Sequence, residues 1–177
     1  MLITNMWREL SSGPDVPKVV HAVIEIPKRS RNKYEYDVDT GCLKLDRVVS
    51  SSLHYPGDYG FIPRTLHYDG DPLDVLVMTN EPTFSGCLIE ARVLGIFHLI
   101  DKGDLDDKIL AVPNTDPLFA GYHKLEDVPR HFLREVEHFF SVYKDLDQVH
   151  VESGGWGDLD QAYQEIQEAM RLYRDSL

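Results

Sequence analysis

Cysteine is scarce in this chain of 177 residues, and its two copies, Cys42 and Cys87, lie far apart. Disulfide frameworks and zinc ribbons use several cysteines at short spacings, so neither class is indicated, and both thiols are expected to be reduced. Long apolar runs are also missing. Stretches such as VLVM at 75–78 are far shorter than the roughly 20 residues that a membrane helix requires, so no membrane association is expected.

Positive charge is in the minority, with 18 Lys and Arg residues against 30 Asp and Glu residues and a formal net charge of −12. Nucleic-acid backbones attract basic surfaces, so this balance argues against a nucleic-acid partner. The N-terminal segment lacks the basic flank and apolar core that are typical of a secretory signal. A cytoplasmic location is therefore expected.

Several familiar site motifs are absent from the sequence. There is no GxxxxGK(S/T) loop and no GxGxxG after a strand, so a nucleotide-dependent mechanism lacks its usual phosphate cradle. An EF-hand starting at Asp69 fails, because Asp74 stands where Gly is required and Asn80 where Glu is expected. There is no HExxH, and His131 and His138, seven residues apart, are expected at a surface or interface rather than on zinc.

What the chain does have is DGDPLDVLV at 69–77, which places Asp69, Asp71 and Asp74 within six residues. Crowded carboxylates repel one another and resist ionisation unless positive charge lies nearby. Hard divalent ions such as Mg²⁺ take oxygen ligands and relieve that repulsion. Taken alone, however, the same pattern is also typical of a solvated acidic turn.

A second acidic segment, IDKGDLDDKIL at 100–110, contains Asp101, Asp104, Asp106 and Asp107. Alone it is equally typical of a charged loop between strands. If a barrel brings both acidic loops to one mouth, however, they can hold two metal ions. Paired ions about 4 Å apart clamp the attacking and leaving oxygens in phosphoryl displacement.

The length and the 42% hydrophobic composition predict a single domain over residues 1–177. Short strand-like runs from Lys18 to about Val112 predict a barrel or sandwich, with its core at about 18–112. The segments at 38–41, 55–60 and 81–86 are interpreted as hairpins and loops. Helical periodicity after Pro129 and again from about Asp158 predicts two C-terminal helices within about 127–175, so the barrel comes first and the helices last.

Phosphate chemistry also needs cations and hydrogen-bond donors. The candidate cations are Lys33, Arg47, Lys108 and Lys144, because lysine offers a point charge and arginine a planar fork to phosphate oxygens. Each is also an ordinary surface residue when considered alone. The candidate hydroxyl donors are Tyr55, Tyr59 and Tyr143, for which a role in core packing is the alternative.

Seven segments together closely resemble the family I soluble inorganic pyrophosphatases, from about Val19 to the last helix. They are VIEIP at 23–27, KYE at 33–35, LDR at 45–47, YPGDYGFIP at 55–63, DGDPLDVLV at 69–77, IDKGDLDDK at 100–108 and HFFSVYKDL at 138–146. The resemblance implies a mainly β fold with α-helices, a five-stranded OB-like closed barrel flanked by helices. It also implies an inorganic diphosphatase that hydrolyses pyrophosphate to two orthophosphates with several Mg²⁺ ions, other divalent ions being possible.

The same resemblance implies a role for each matched residue. Asp71 would prepare the attacking water. The metal ligands would be Asp69, Asp74, Asp101 and Asp106, and the supporting residues would be Glu25, Glu35 and Tyr55. The substrate oxygens would be held by Lys33, Arg47, Tyr59, Lys108, Tyr143 and Lys144. Two alternatives stay open: Arg29 or Arg31 reaching the substrate beside Lys33, and Asp104 or Asp107 replacing Asp106 if the loop register shifts by one residue.

Two other functions compete with this expectation. One is a metal-dependent phosphohydrolase that acts on another small phosphorylated compound. The other is a catalytically inactive OB-fold module that binds oligonucleotides, which the acidic charge disfavours. Members of the family resembling this chain often form hexamers, so a homo-oligomer is expected, although the sequence assigns no surface to an interface.

Overall fold

The structure, a computed structural model, describes residues 5–177. The strands are β1 (Val19–Ile26), β2 (Asn32–Asp37), β3 (Cys42–Val48), β4 (Asp58–Phe61), β5 (Asp74–Val77), β6 (Leu88–Asp101), β7 (Asp104–Leu105), β8 (Lys108–Pro113) and β9 (Val151–Gly157). The α-helices are α1 (Met6–Glu9), α2 (Arg130–Val142) and α3 (Leu159–Asp175). Short 3₁₀ turns lie at Pro117–Phe119, Leu125–Asp127 and Asp145–Asp147.

Five strands close into a ring in the order β1, β4, β5, β8 and β6, with β6 pairing back to β1. This confirms the expected five-stranded OB-like closed barrel. Among the strands of residues 5–177, only β5 and β8 run parallel, and their register sets Asp74 opposite Lys108. The long strand β6 has a register shift between Val93 and Gly95. Such a bulge bends a strand, and here it lets one strand pair with β1, β8 and β9.

A separate two-stranded ribbon, β2–β3, follows β1. The turn between them at 38–41 agrees with the prediction, with Gly41 at φ 69°. Lys33 pairs directly with Arg47 across this ribbon. Because residues directly opposite each other share a face of an antiparallel pair, both cations lie on the same side of it.

Two segments differ from the sequence-based expectation. YPGDYG was interpreted as a loop, but Asp58–Phe61 is the fully buried strand β4 of the ring. The segment 151–157, for which the sequence predicts no strand, is strand β9, which pairs with β6. The expectation of a barrel followed only by helices is therefore wrong at β9, which lies between α2 and α3 and belongs to the sheet.

The two predicted helices are confirmed, and α3 begins at its expected cap. The Asp158 side chain accepts from the backbone N of Gln161, and the Gln161 side chain accepts from the backbone N of Asp158. This reciprocal capping box satisfies two donors that a helix start leaves open. None of the helices found in residues 5–177 has the length and apolarity that a bilayer-spanning segment requires.

The core consists mainly of two apolar clusters that share the strands of the ring. Side chains alternate between the two faces of a strand. In β5, Leu76 packs in the cluster that includes Phe139 and Phe140 of α2, whereas Val75 and Val77 pack in the cluster that includes α3. The helices therefore cover different parts of the barrel, and α2 brings aromatic rings close to β4.

Gly60 is a position at which the ring tolerates no side chain. It pairs with Ile24 of β1, and an added Cβ would lie 1.9 Å from the carbonyl O of Val23. We expect Gly60→Ala to lower the free energy of unfolding by about 1–3 kcal/mol, because backbone must shift to admit the methyl group. Urea denaturation followed by circular dichroism measures this loss. Gly121→Ala is the control, since nothing lies within 4 Å of its added Cβ; equal midpoints for both variants would contradict the prediction.

Candidate active site

One cavity of about 250 Å³ brings together every candidate residue from the sequence except Arg47. Those residues are Glu25, Lys33, Glu35, Tyr55, Tyr59, Asp69, Asp71, Asp74, Asp101, Asp106, Lys108, Tyr143 and Lys144. They come from β1, the β2–β3 ribbon, the ring and the end of α2. The cavity also has lining residues that sequence reasoning did not single out, among them Tyr34, Tyr36 and Pro72.

The first acidic loop is held in a fixed bend by its own backbone and by its neighbours. Gly70 has φ 92°, a left-handed conformation that favours glycine. The Asp69 carboxylate accepts from the backbone N of Asp71 at 3.0 Å. At the base of the loop, the buried Thr65 hydroxyl accepts from the backbone N of Leu73 at 2.9 Å. Asp69 and Asp71 are thus presented to the cavity on a stiff turn.

Lys108 joins the two acidic loops. Its Nζ lies 2.5 Å from Oδ2 of Asp74, its register partner across β5–β8, and also bonds Oδ1 of Asp106. Only 3% of Lys108 is exposed. Burial alone lowers the pKa of its ammonium, but the two carboxylates outweigh burial, and the pKa is raised. Lys108 is therefore a buried, permanently charged cation between two acids.

Lys144 pairs with an acid at the start of the second acidic segment. Its Nζ bonds Oδ2 of Asp101, in a contact that links the segment after α2 to the end of β6. The other carboxylate oxygen of Asp101, Oδ1, is buried and has no hydrogen-bond partner among residues 5–177. An unpartnered buried carboxylate oxygen is costly, and it is a free ligand position at the cavity.

The surroundings of three cavity acids raise their pKa values and so favour the protonated form. Burial raises the pKa of Glu25 to about 8, against the opposing bond from the backbone N of Tyr36 at 2.7 Å. Burial likewise raises the pKa of Asp106 to about 6, although Lys108 opposes it. Burial and then the charge of Asp69 raise the pKa of Asp71. The cavity therefore carries more acid groups than its lysines can balance.

Three buried tyrosines supply neutral hydroxyl groups. Burial raises the pKa of Tyr55, Tyr59 and Tyr143, so all three keep their protons at neutral pH. The Tyr59 hydroxyl donates to Oδ2 of Asp74, and the Tyr143 ring stacks on Phe139 with centroids 5.3 Å apart. As the sequence suggested, Tyr143 packs on the apolar face of α2 while it also lines the cavity.

The β2–β3 ribbon carries the paired cations Lys33 and Arg47, and of these two only Lys33 lines the cavity. Lys33 lines it and bonds the Glu35 carboxylate. Arg47, the register partner of Lys33, does not line it, and its Nε lies 3.9 Å from Oδ2 of Asp46. Neither Arg29 nor Arg31 is a lining residue, and Arg31 donates to the carbonyl O of Val49 at 3.3 Å.

The second acidic loop has the register that the sequence favoured. Asp106 lines the cavity, whereas Asp104 is exposed and Asp107 is buried elsewhere. Asp107 accepts from the backbone N of Leu99 at 3.2 Å and lies 3.1 Å from Nδ1 of His98. These bonds fix the start of β8, between Asp106 and Lys108.

The donors around the cavity suit a divalent cation. Carboxylate oxygens are the ligands that hard ions such as Mg²⁺ prefer, and the unpartnered Oδ1 of Asp101 is such an oxygen. In the described part of the chain, no three acid, His or Cys side chains have closed into a ligand set. Lysines hold four of the cavity acids instead: Glu35, Asp74, Asp101 and Asp106. Asp69, Asp74, Asp101 and Asp106 therefore fit metal binding by their chemistry, provided that the lysines are displaced.

Sequence reasoning missed a buried pair that supports the acidic loop. The backbone N of His67 donates to the carbonyl O of Asp71 at 2.7 Å, and the ring Nε2 lies 3.3 Å from Oε1 of Glu165 on α3. Neither of these two side-chain atoms has a hydrogen-bond partner of good geometry within residues 5–177. Burial lowers the pKa of His67, but Glu165 outweighs burial and the pKa is raised. His67 and Glu165 are too far apart in the sequence for a local residue pattern to indicate that they pair.

His67→Leu is expected to lower kcat by about tenfold for the hydrolysis that the sequence resemblance implies, because the loop that carries Asp69 and Asp71 loses its anchor to α3 and small misplacements are costly. KM should change less, since the lysines remain in place. Steady-state kinetics measures both constants. His138→Leu, at an exposed site on α2, is the control; an unchanged kcat in His67→Leu would contradict the anchoring role.

Comparisons with known proteins identify relatives of the whole chain. The sequence model of the inorganic pyrophosphatase family matches residues 22–174. The inorganic pyrophosphatase of Haloferax volcanii is 45% identical over 175 residues, covering 98% of this chain and 99% of the relative. That of Halalkalibacterium halodurans is 50% identical over 158 residues, covering 89% and 97%. The crystal structure of inorganic pyrophosphatase from Thermus thermophilus superposes with a TM-score of 0.92 at 42% identity, covering 96% and 99% of the two chains.

Proposed function

The chain belongs to the inorganic pyrophosphatase family, and we propose that Asp71 is the base that takes a proton from the attacking water at the candidate active site. Hydrolysis of pyrophosphate to two orthophosphates is the activity of this enzyme, an inorganic diphosphatase. What remains to be assigned is the part that each residue plays.

One observation carries these assignments: lysines and a larger number of acids from distant segments converge on a single cavity. Pyrophosphate is highly anionic, so its site must offer positive charge to the phosphates and still hold a base for water. Asp71 is the aspartate here that fits the base. Its carboxylate has no ion pair within residues 5–177, whereas lysines hold Asp74, Asp101 and Asp106. The Asp69 carboxylate also lacks an ion pair there, but it already accepts from the backbone N of Asp71.

The substrate oxygens are assigned to the cationic and hydroxyl groups around the cavity. Lys33, Lys108 and Lys144 would turn from their carboxylate partners to the phosphates. Neutral Tyr59 and Tyr143 would donate hydrogen bonds, and Tyr55 would support them through its ring, which lies 5.4 Å from that of Tyr59. Arg47, opposite Lys33, would reach the substrate from the rim of the cavity.

Membership of this family implies a requirement for divalent metal ions. Mg²⁺ is the ion that we assign, because the donors are carboxylate oxygens, and other divalent ions can substitute. Asp69, Asp74, Asp101 and Asp106 would hold several ions, with Glu25 and Glu35 supporting them. When bound, such ions neutralise charge on phosphate and acidify water. The lysines that they displace would then be free to bind the substrate.

Phosphate release by the purified chain tests the substrate, the metal and the competing functions together. We expect rapid release from pyrophosphate with Mg²⁺ and almost none after the ions are removed with a chelator. Nucleoside triphosphates and sugar phosphates should be poor substrates under the same conditions. Equal turnover of a sugar phosphate would favour the broader phosphohydrolase, and no turnover of pyrophosphate would favour an inactive binding module.

A cytoplasmic location, one domain over residues 1–177 and homo-oligomeric assembly, with a hexamer as the expected state, belong to the same proposal. Both cysteines are free thiols, which suits a reducing compartment. Both apolar clusters join barrel strands to a C-terminal helix, as expected of one folding unit. Exposed Leu45, Val48 and Phe84 offer apolar surface for subunit contacts. Light scattering after size-exclusion chromatography measures the assembly.

A further inference from the structure

A second cavity, of about 670 Å³, shares no lining residue with the candidate active site. It lies between the end of α1, the segment at 11–16, Arg64 and the last turns of α3. Its volume is within the range of about 300–1,000 Å³ that is usual for small-molecule sites.

The charge of this cavity is opposite to that of the chain. The formal net charge of the protein is −12, yet three arginines, Arg8, Arg64 and Arg174, line the cavity. Among the described residues that line it there is no Asp or Glu. Clustered arginines without acids repel one another, and an anion relieves that repulsion.

Arg64 is held in place before any ligand arrives. Its φ of 54° is a left-handed conformation that is uncommon for a residue with a side chain and is found most often at functional sites. Its Nε donates to the carbonyl O of Arg8 at 3.2 Å and its Nη2 to that of Glu9 at 3.1 Å. The Nη1 group has no partner within residues 5–177, so it remains available to an anion.

Arg8 and Arg174 also lack carboxylate partners in the described part of the chain. Arg8 is exposed, and its guanidinium lies 5.7 Å from the centroid of the Trp7 ring. Arg174 is exposed on α3, where the nearby Arg171 pairs with both Glu168 and Asp175. Both guanidinium groups therefore line the cavity without a competing ion pair within residues 5–177.

The rest of the cavity is apolar and partly aromatic. Val16, Met170 and Tyr173 line it. Tyr173 is buried, and its ring lies 5.7 Å from that of Trp7, whose Nε1 donates to the carbonyl O of Thr65 at 2.7 Å. These contacts give a rigid apolar wall that faces the arginines, an arrangement suited to a ligand with one anionic and one flat apolar part.

We propose that this cavity binds a nucleoside monophosphate, with the phosphate on Arg8, Arg64 and Arg174 and the base against Val16, Met170 and Tyr173. Guanidinium forks match phosphate oxygens, and an aromatic wall accepts the face of a base. The substrate of this enzyme points to the same compound. Cleavage of a nucleoside triphosphate between its first two phosphates releases pyrophosphate and leaves a nucleoside monophosphate group, so the two arise together.

Isothermal titration calorimetry with adenosine 5′-monophosphate tests the proposal on the full chain. Arg8→Gln and Arg174→Gln are each expected to weaken binding by about tenfold, since each removes a charge-assisted bond to phosphate. The control is Arg171→Gln, which removes the same charge from α3 outside the cavity and should leave the affinity unchanged. Neither Arg8 nor Arg174 lines the candidate active site. The turnover of pyrophosphate by both variants should therefore stay at the wild-type value, which would show that they fold.

Three further titrations separate the sources of affinity. Adenosine should bind at least tenfold more weakly than the monophosphate, because it offers nothing to the arginines. Inorganic phosphate and pyrophosphate should lose affinity in Lys33→Gln but not in Arg174→Gln, since they bind the active site. The proposal is overturned if the monophosphate does not bind, if its affinity is the same in Arg174→Gln, or if it is lost in Lys33→Gln instead.

Discussion

Asp71→Asn is expected to lower kcat for pyrophosphate by about 10²- to 10⁴-fold, the usual contribution of a positioned general base. The amide keeps the size and shape of the side chain but has no proton affinity that suits a base. The backbone N of Asp71 still bonds Asp69, and its carbonyl O still accepts from His67, so the loop should keep its bend. Stopped assays of phosphate release measure the loss of turnover.

Two measurements separate a lost base from a lost fold or a lost binding site. Circular dichroism of Asp71→Asn should match the wild type, and affinity for pyrophosphate should change little, because no lysine is altered. Asp104→Asn is the matched control: it removes one negative charge from an exposed position outside the cavity. If Asp71→Asn kept wild-type turnover, Asp71 would not be the base; if Asp104→Asn were equally inactive, net charge would be the cause.

Lys108→Met is expected to have the largest effect on stability, lowering the free energy of unfolding by about 3–5 kcal/mol in a chelator. The methionine retains the apolar stem beside the rings of Tyr59 and Phe140. It leaves Asp74 and Asp106 without their shared cation, however, and uncompensated buried charge is costly. Saturating Mg²⁺ should restore part of the loss, since bound ions would supply the missing charge.

Thermal and urea unfolding of Lys108→Met, each with and without Mg²⁺, test this expectation. Lys102→Met is the control for the substitution itself, because Lys102 is exposed and lines no part of the cavity. Adding Asp106→Asn to Lys108→Met should recover stability in the chelator by removing one of the stranded charges. Equal stability of Lys108→Met and Lys102→Met would show that the carboxylates need no cation.

The sequence predicts an element of the fold correctly where its local residue pattern is strong enough to decide between strand, helix and turn. The apolar runs of β1 and β6 and the periodicity of α2 are strong enough to decide local structure alone. The strands β4 and β9 are not, because DYGF and ESGGWG carry the Asp and Gly residues that are typical of turns. They become strands through the partners they meet: Gly60 lies against Val23 so closely that only glycine fits, and β9 pairs along β6.

The candidate site likewise has one part that the sequence predicts and one part that only the fold determines. The identities of its acids, lysines and tyrosines follow from motifs within short segments. The cavity brings all of these residues together, and of the candidate cations it leaves out only Arg47. No single segment shows how residues of different segments pair with one another. The register of β5 on β8 sets Lys108 opposite Asp74, and the fold alone sets Glu165 beside His67. Such contacts join residues far apart in sequence, so periodicity carries no signal for them.

The closure of the ring by β1 and β6 also depends on how much of the chain has been made. A chain made from its N-terminus exposes Asp69, Asp71 and Asp74 before β6 has emerged, and before Lys108 or Lys144 has been made. Until then β1 lacks its second neighbour and the acidic loop lacks two of its cations. The cavity therefore gains its last lining residue, Lys144, only after synthesis has passed α2.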